Sequence, residues 1–132
     1  MKKIIALISI ILLTGCLGEA GKGYITKKCS KTENINGYKK ETIIKVKSKQ
    51  GNIEEIIITE TYDKNIDLES ITKSKKSENN TYKNIEIEID NNKFTYKIDP
   101  KKIDNLEKER FNIKEEQHKQ IKQYEEEGYT CK

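Results

Sequence analysis

Apolar and polar residues alternate most regularly between Tyr82 and Asp99. Ile85, Ile87 and Ile89 are interleaved with Glu86, Glu88 and Asp90. A period of two marks a strand with one buried face. Asn91-Asn92 breaks the run, and because Asn tolerates positive φ the pair suits a type I′ hairpin turn. Folding the chain back there sets Ile89 opposite Phe94, Ile87 opposite Tyr96 and Ile85 opposite Ile98. On the other face Asp90 then meets Lys93, and Glu86 meets Lys97. Both faces agree on one register, and such charged pairs contribute roughly 0.2–1 kcal/mol each.

Further strands follow from isoleucine density and alternation. Tyr24 to Lys31 predicts a first strand carrying Cys29, and Tyr38 to Lys49 a second, with Ile44 and Val46 on one side and Lys45 and Lys47 on the other. Gln50-Gly51-Asn52 reads as a turn. Ile53 to Tyr62 returns, pairing Val46 with Ile56, Ile44 with Ile58 and Lys47 with Glu55; this register puts Ile53 and Ile57 on the outer face. Asp63 to Thr81 is polar apart from Ile66, Leu68 and Ile71, which predicts a short helix over Asp67 to Ser74 and a loop from there to Asn80. Asp99-Pro100 predicts a helix start, with Ile103, Leu106 and Phe111 inward. Asn112 and Glu115 predict the start of a second helix, whose inner face is Ile113, Gln117, Ile121 and Tyr124. Gly128 stops it, and Tyr129-Thr130-Cys131 returns to the first strand. The fold class expected is α+β: an antiparallel sheet of about five strands in two hairpins, with C-terminal helices on one face. The other face, with Lys45, Lys47, Glu55, Glu86, Glu88, Lys93, Lys97 and Ile57, is then open to solvent.

One apolar run belongs to neither pattern. Met1-Lys2-Lys3 precedes Ile4 to Leu13, in which Ser9 is the only polar residue. A spanning helix needs about 20 apolar residues, so this run is too short to remain in a bilayer. It has the build of a secretory leader. Leu13-Thr14-Gly15-Cys16 resembles the lipobox of bacterial lipoproteins. That resemblance implies a lipid on the Cys16 sulfur and cleavage between Gly15 and Cys16. Residues 1–15 are then the signal, 16–23 a Gly-rich tether, and 24–132 one domain. The expected location is the extracytoplasmic face of the cell membrane, held by the lipid on Cys16.

Charge narrows the partners. The chain has 26 Lys+Arg and 22 Asp+Glu, and loss of Lys2 and Lys3 with the leader lowers the formal charge from +4 to +2. A near-balanced domain lacks the basic footprint of a nucleic-acid binder. Lys39-Lys40 and the lysines of 73–76 read as solvated loops.

Besides Cys16 the chain has Cys29 and Cys131. An even pair in an exported domain reads as a disulfide. Closing a loop of about 100 residues stabilises by about 4.7 kcal/mol in the chain-entropy model. A redox pair would show Cys-x-x-Cys, which is absent. A zinc site would need His118 with both cysteines, still one ligand short of a closed site. His118 is the only histidine and sits between glutamines and lysines, the surroundings of a surface residue. No Walker, Rossmann, metalloprotease or nucleophile-elbow motif occurs. No cofactor or metal is expected, and no catalytic residues. Seven tyrosines could stack on sugars, but Tyr62, Tyr96 and Tyr124 fall on predicted core faces.

The lipobox, the tether, Lys28-Cys29-Ser30-Lys31-Thr32, the two charged hairpins and the ending Glu127-Gly128-Tyr129-Thr130-Cys131-Lys132 together resemble the YehR-like small bacterial lipoproteins. The resemblance implies an antiparallel sheet with helices on one side and no activity. The expected function is a non-enzymatic surface lipoprotein presenting its domain to a protein or envelope ligand. The alternative is a lipoprotein inhibitor or immunity factor against a secreted toxin or hydrolase.

Overall fold

A computed structural model describes residues 23–63 and 67–132. The leader, Cys16, most of the tether and Ile66 lie outside the described residues. Six strands and three helices follow in the order β1 (Tyr24–Ile35), β2 (Tyr38–Lys49), β3 (Asn52–Tyr62), α1 (Leu68–Thr81), β4 (Glu86–Asp90), β5 (Lys93–Ile98), α2 (Asn105–Phe111), α3 (Gln117–Glu126) and β6 (Thr130–Cys131). The strands form one antiparallel sheet in the order β4-β5-β3-β2-β1-β6. The expected α+β class holds, with a sixth short strand added.

The β4–β5 hairpin has the predicted register, Ile89↔Phe94, Ile87↔Tyr96, Asp90↔Lys93 and Glu86↔Lys97. Its turn differs: Asn91 alone of the two central residues has positive φ (53°), whereas type I′ needs it at both. The β1–β2 hairpin is longer than predicted. All twelve residues of β1 pair with β2, and the turn is Asn36-Gly37, at φ 50° and 89°. Asn-Gly is the strongest short hairpin signal, because both residues accept the left-handed region that the turn imposes.

β2 and β3 pair as predicted at Val46↔Ile56, Ile44↔Ile58 and Lys47↔Glu55. Ile53 is a correction. The turn is two residues, Gln50-Gly51, and the register shifts between Lys47 and Ser48, so Glu54 is a bulge. One extra residue inverts the alternation. Ile53 therefore faces the core at 3% exposure together with Ile56, while Ile57 stays on the outer face.

The helical boundaries need three corrections. First, α1 runs to Thr81, through the segment expected to be a loop. Second, Asp99-Pro100 starts a turn, with Asp99 accepting from the Lys101 N–H at 2.9 Å. The helix begins at Asn105 instead. Asp104 accepts from the Glu107 N–H at 2.9 Å, and Glu107 accepts from the Asp104 N–H at 3.0 Å, a reciprocal cap. This later start rotates the face: Ile103 and Glu107 are buried, and Leu106 is 61% exposed rather than inward. Burial pushes the Glu107 carboxyl up, but hydrogen bonds from Asp104 and Asn84 outweigh it and hold it below the usual range. Third, Asn112 ends α2 in the left-handed conformation (φ 54°) instead of starting α3. Glu116 is extended and bridges Asn52, so the helix starts only at Gln117; Ile53 N–H donates to Glu115 O and Gln117 N–H to Gly51 O, both at 2.9 Å, which ties this stretch to the β2–β3 turn. The fully buried Gln120 secures the same stretch, accepting from the Lys114 N–H at 2.6 Å and donating to the Asn112 carbonyl at 3.2 Å.

Cys29 and Cys131 stand opposite each other in β1 and β6 and pair at disulfide distance, 2.02 Å. The flanking Lys28 and Lys132 exchange both backbone hydrogen bonds. Cys29 and Cys131 therefore occupy the closer, non-hydrogen-bonded position of the ladder, where side chains approach. Cys29 is completely buried in a core with Ile44, Val46, Ile56, Tyr96, Ile98 and Tyr124. The opposite face of the sheet is polar as expected. Lys45, Glu86, Glu88 and Lys93 are exposed, and Lys97 donates to Glu88 at 2.9 Å, the diagonal neighbour of its register partner Glu86.

Candidate functional site: a polar cleft beneath the first helix

The inner face of β3 reads Ile56, Ile58, Glu60, Tyr62, so a carboxylate occupies a core position. The inner face of β2 reads Thr42, Ile44, Val46, Ser48, all buried. Thr42 and Glu60 are register partners. These two polar positions begin a cleft of about 290 Å³, closed by α1, the end of α2, the end of α3 and Tyr129.

α1 supplies the counter-charges. Asp67 caps it, accepting from the Ser70 N–H at 3.3 Å. Its inward positions are Leu68, Ile71, Thr72, Lys75 and Glu78, the spacing of one helical face, but Lys75 is the only buried residue. The Lys75 ammonium donates to Glu60 at 2.6 Å and to the Tyr96 hydroxyl. Lys40 meets the other Glu60 oxygen at 3.1 Å. The Tyr96 hydroxyl donates to Glu78 at 2.7 Å, and Arg110 reaches Glu78 at 3.4 Å. The chain Lys40–Glu60–Lys75–Glu78–Arg110 therefore links β2, β3, α1 and α2.

Each shift follows from this arrangement. Burial raises the Glu60 carboxyl, but Lys75 and then Lys40 outweigh it and hold it below the ordinary range. Burial, then the Glu60 and Glu78 carboxylates, drive the Tyr96 phenol far above its usual value. Burial, then Glu127, does the same to Tyr124.

Two buried hydroxyls in this cleft have no hydrogen-bond partner among the described residues. They belong to Thr42 and Tyr124, which are 2% and 4% exposed. Tyr129 adjoins both. Its ring centre lies 5.6 Å from that of Tyr124, and burial raises its phenol while the neighbouring Thr42 hydroxyl pulls the other way. Phe111 forms an apolar wall, 5.6 Å from the rings of both Tyr96 and Tyr82. Larger grooves exist, about 670 Å³ between α1 and the β4–β5 turn, about 540 Å³ beside Pro100 and about 460 Å³ beside Lys83 and Lys102. None of the three is lined by an unpartnered buried polar atom, so the smaller cleft is the better-built candidate.

The sequence-predicted residues distribute unevenly. Tyr62, Tyr96 and Tyr124 are buried as expected. His118 is an exposed residue 3.4 Å from Glu116. The two lysine clusters divide: Lys39, Lys73 and Lys76 are exposed, whereas Lys40 and Lys75 enter the cleft. Sequence reasoning missed Glu60, Lys75, Glu78, Arg110 and Thr42. Glu60 and Thr42 were visible as polar residues in phase with buried isoleucines. Among the described residues no three His, Cys, Asp or Glu side chains converge as a metal site, and no helix is long and apolar enough to cross a membrane. No protein-family model, curated protein or solved structure matches this chain.

Proposed function

We propose that this chain is a non-catalytic lipoprotein of the extracytoplasmic face of a bacterial cell membrane, of the YehR-like kind, which presents a small binding domain to a protein or envelope ligand. The observation that carries the reading is the leader: Lys2-Lys3, the apolar Ile4 to Leu13, and Leu13-Thr14-Gly15-Cys16, placed eight residues ahead of the strand that begins at Tyr24. Eight residues reach at most about 29 Å when fully extended, so a lipid on Cys16 would keep the domain close to the bilayer. The Cys29–Cys131 pair supports export to an oxidising compartment. The mutual saturation of Glu60, Lys75, Glu78 and Tyr96 supports binding over catalysis, since a general base or nucleophile has to be free to react.

Mass spectrometry of the membrane fraction tests the anchor. The expected N-terminal peptide begins at diacylated Cys16, and Cys16→Ala should release the domain or leave it unprocessed. A soluble, unlipidated wild-type product starting elsewhere would refute the reading.

A further inference from the structure

We propose that the outer face of the sheet, where it is built by β2, β1 and β6, docks on the anionic phospholipid surface to which Cys16 would hold the chain. The inference rests on the lipid-anchor reading and adds which side of the domain meets the membrane.

The charges of this face are segregated. Side chains alternate along a strand, so Tyr24, Thr26 and Lys28 of β1 share the outer face with Lys45, Lys47 and Lys49 of β2. Lys28 and Lys45 are register partners. Lys132 flanks Lys28 on its other side and exchanges both backbone hydrogen bonds with it. Three lysines therefore stand in one row across three strands, and like charges directly opposite one another destabilise a sheet. Lys47 has Glu55 as its register partner on β3, but its ammonium lies over the Tyr24 ring at 4.4 Å, and that of Lys49 approaches the same ring at 5.6 Å. Among the described residues none of these five lysines forms an ion pair. The carboxylates gather at the opposite edge of the sheet. Glu86, Glu88 and Asp90 of β4 face Lys97 and Lys93 of β5, and Lys97 pairs with Glu88 at 2.9 Å. The near-balanced charge of the chain thus conceals a basic half-face.

Position selects the partner. Cys16 lies eight residues ahead of Tyr24, and Lys28 only four residues beyond it, about 13 Å along an extended strand. A lipid on Cys16 would therefore tether the domain at the border of its basic half-face. The attraction of lysines to an anionic leaflet fades within a Debye length, about 8 Å at physiological salt, and the tether is short enough to bring the patch into that range. Tyr24 is 45% exposed at this border, and its amphipathic ring is of the kind that settles at headgroup level. α1 packs on the inner face of the sheet, so docking would turn the cleft beneath it away from the bilayer.

The test reconstitutes the full chain, purified from the membrane fraction, into nanodiscs of phosphatidylcholine alone or mixed equally with phosphatidylglycerol. Acetic anhydride then labels accessible lysines, which are read by mass spectrometry. In the anionic discs Lys28, Lys45, Lys47, Lys49 and Lys132 should be acetylated at least about threefold more slowly than in the neutral ones. The exposed Lys73 and Lys76 of α1 should react equally in both. Salt at about 1 M, where the Debye length is about 3 Å, should abolish the difference. The triple variant Lys28→Gln, Lys45→Gln, Lys47→Gln relieves the like-charge row, so its melting temperature should be unchanged or higher; Lys49 and Lys132 should lose their protection in it. Equal acetylation of the five lysines in the two discs would overturn the inference, as would equal protection of Lys73 and Lys76 or undiminished protection in the variant. The anchor is judged separately, by retention on the neutral discs. A chain retained there without protection in the anionic discs sinks only the docking; one that binds only the anionic discs, with the expected protection, sinks only the anchor.

Discussion

The β4–β5 hairpin completes one edge of the sheet and helix α1 packs against the inner face beside it, and the two are held by opposite chemistry. The hairpin buries Ile87, Phe94, Tyr96 and Ile98 and sends Glu86, Glu88 and Lys93 to solvent. α1 sends nearly everything to solvent and buries one lysine. Hydrophobic burial holds the hairpin and is non-directional, so any close packing satisfies it. α1 is held at its centre by Lys75 to Glu60 and Tyr96, which is directional and costs desolvation of both charges. A protein stabilised only by packing has no use for the second arrangement. Its presence beside the two unpartnered hydroxyls is what marks the cleft as a site.

The largest effect expected tests the apolar half. Phe94 is fully buried, with its ring edge-on to Tyr62 at 5.6 Å. Phe94→Ala should cost about 3–5 kcal/mol, measured by urea denaturation. A cost below about 1 kcal/mol would mean that the hairpin is not the anchor of the core.

The difference between the two regions also explains what could be read from the chain. The hairpin register follows from alternation on both faces, and each face checks the other. α1 escaped because period-3.6 reading looks for an apolar stripe. Its stripe starts apolar, Leu68 and Ile71, then continues as Lys75 and Glu78. The feature that hid the helix is the feature that builds the cleft. Ile53 was misplaced for another reason: the Glu54 bulge depends on the two-residue Gln50-Gly51 turn and on pairing with Glu115 to Gln117, contacts more than sixty residues away along the chain. The cysteine pair needed only parity and compartment.

The polar half predicts a smaller loss with a distinctive rescue. Lys75 and Glu60 side chains are 11% and 13% exposed, so Lys75→Ala leaves a buried carboxylate that Lys40 covers only in part. The expected cost is about 3 kcal/mol, at the low end for breaking a buried pair. Replacing both charges, Lys75→Met with Glu60→Leu, should return stability to within about 1 kcal/mol of wild type, because it removes the desolvation penalty along with the attraction. If the single variant is silent, α1 docks through Leu68 and Ile71 instead.

Acid separates the regions without mutation. Glu60 and Glu107 both titrate below their ordinary value of 4.5 in the folded chain. A depressed carboxyl stabilises the fold above its unfolded pKa, and that contribution disappears as pH falls through the folded value. The melting temperature should therefore hold between pH 5.5 and 7, about one unit or more above the unfolded value, and fall below about pH 4.5. Glu60→Gln should reduce the acid slope. An unchanged slope would place the acid-sensitive contacts elsewhere.

The smallest effect has the opposite sign. A buried hydroxyl without a partner pays its desolvation cost and gains nothing back. Thr42 and Tyr124 are in that state, and valine and phenylalanine match them in shape. In the absence of ligand, Thr42→Val and Tyr124→Phe should each stabilise the domain by about 1 kcal/mol, or about 4 °C in melting temperature. No change would mean that each hydroxyl already recovers its desolvation cost through a weak contact. A loss above about 1 kcal/mol would mean that Thr42 and Tyr124 already have partners in solution, through Tyr129 or a bridging water, and that the cleft has no donors to spare. A gain in both variants is the signature of polar groups that the fold keeps at a cost to its own stability.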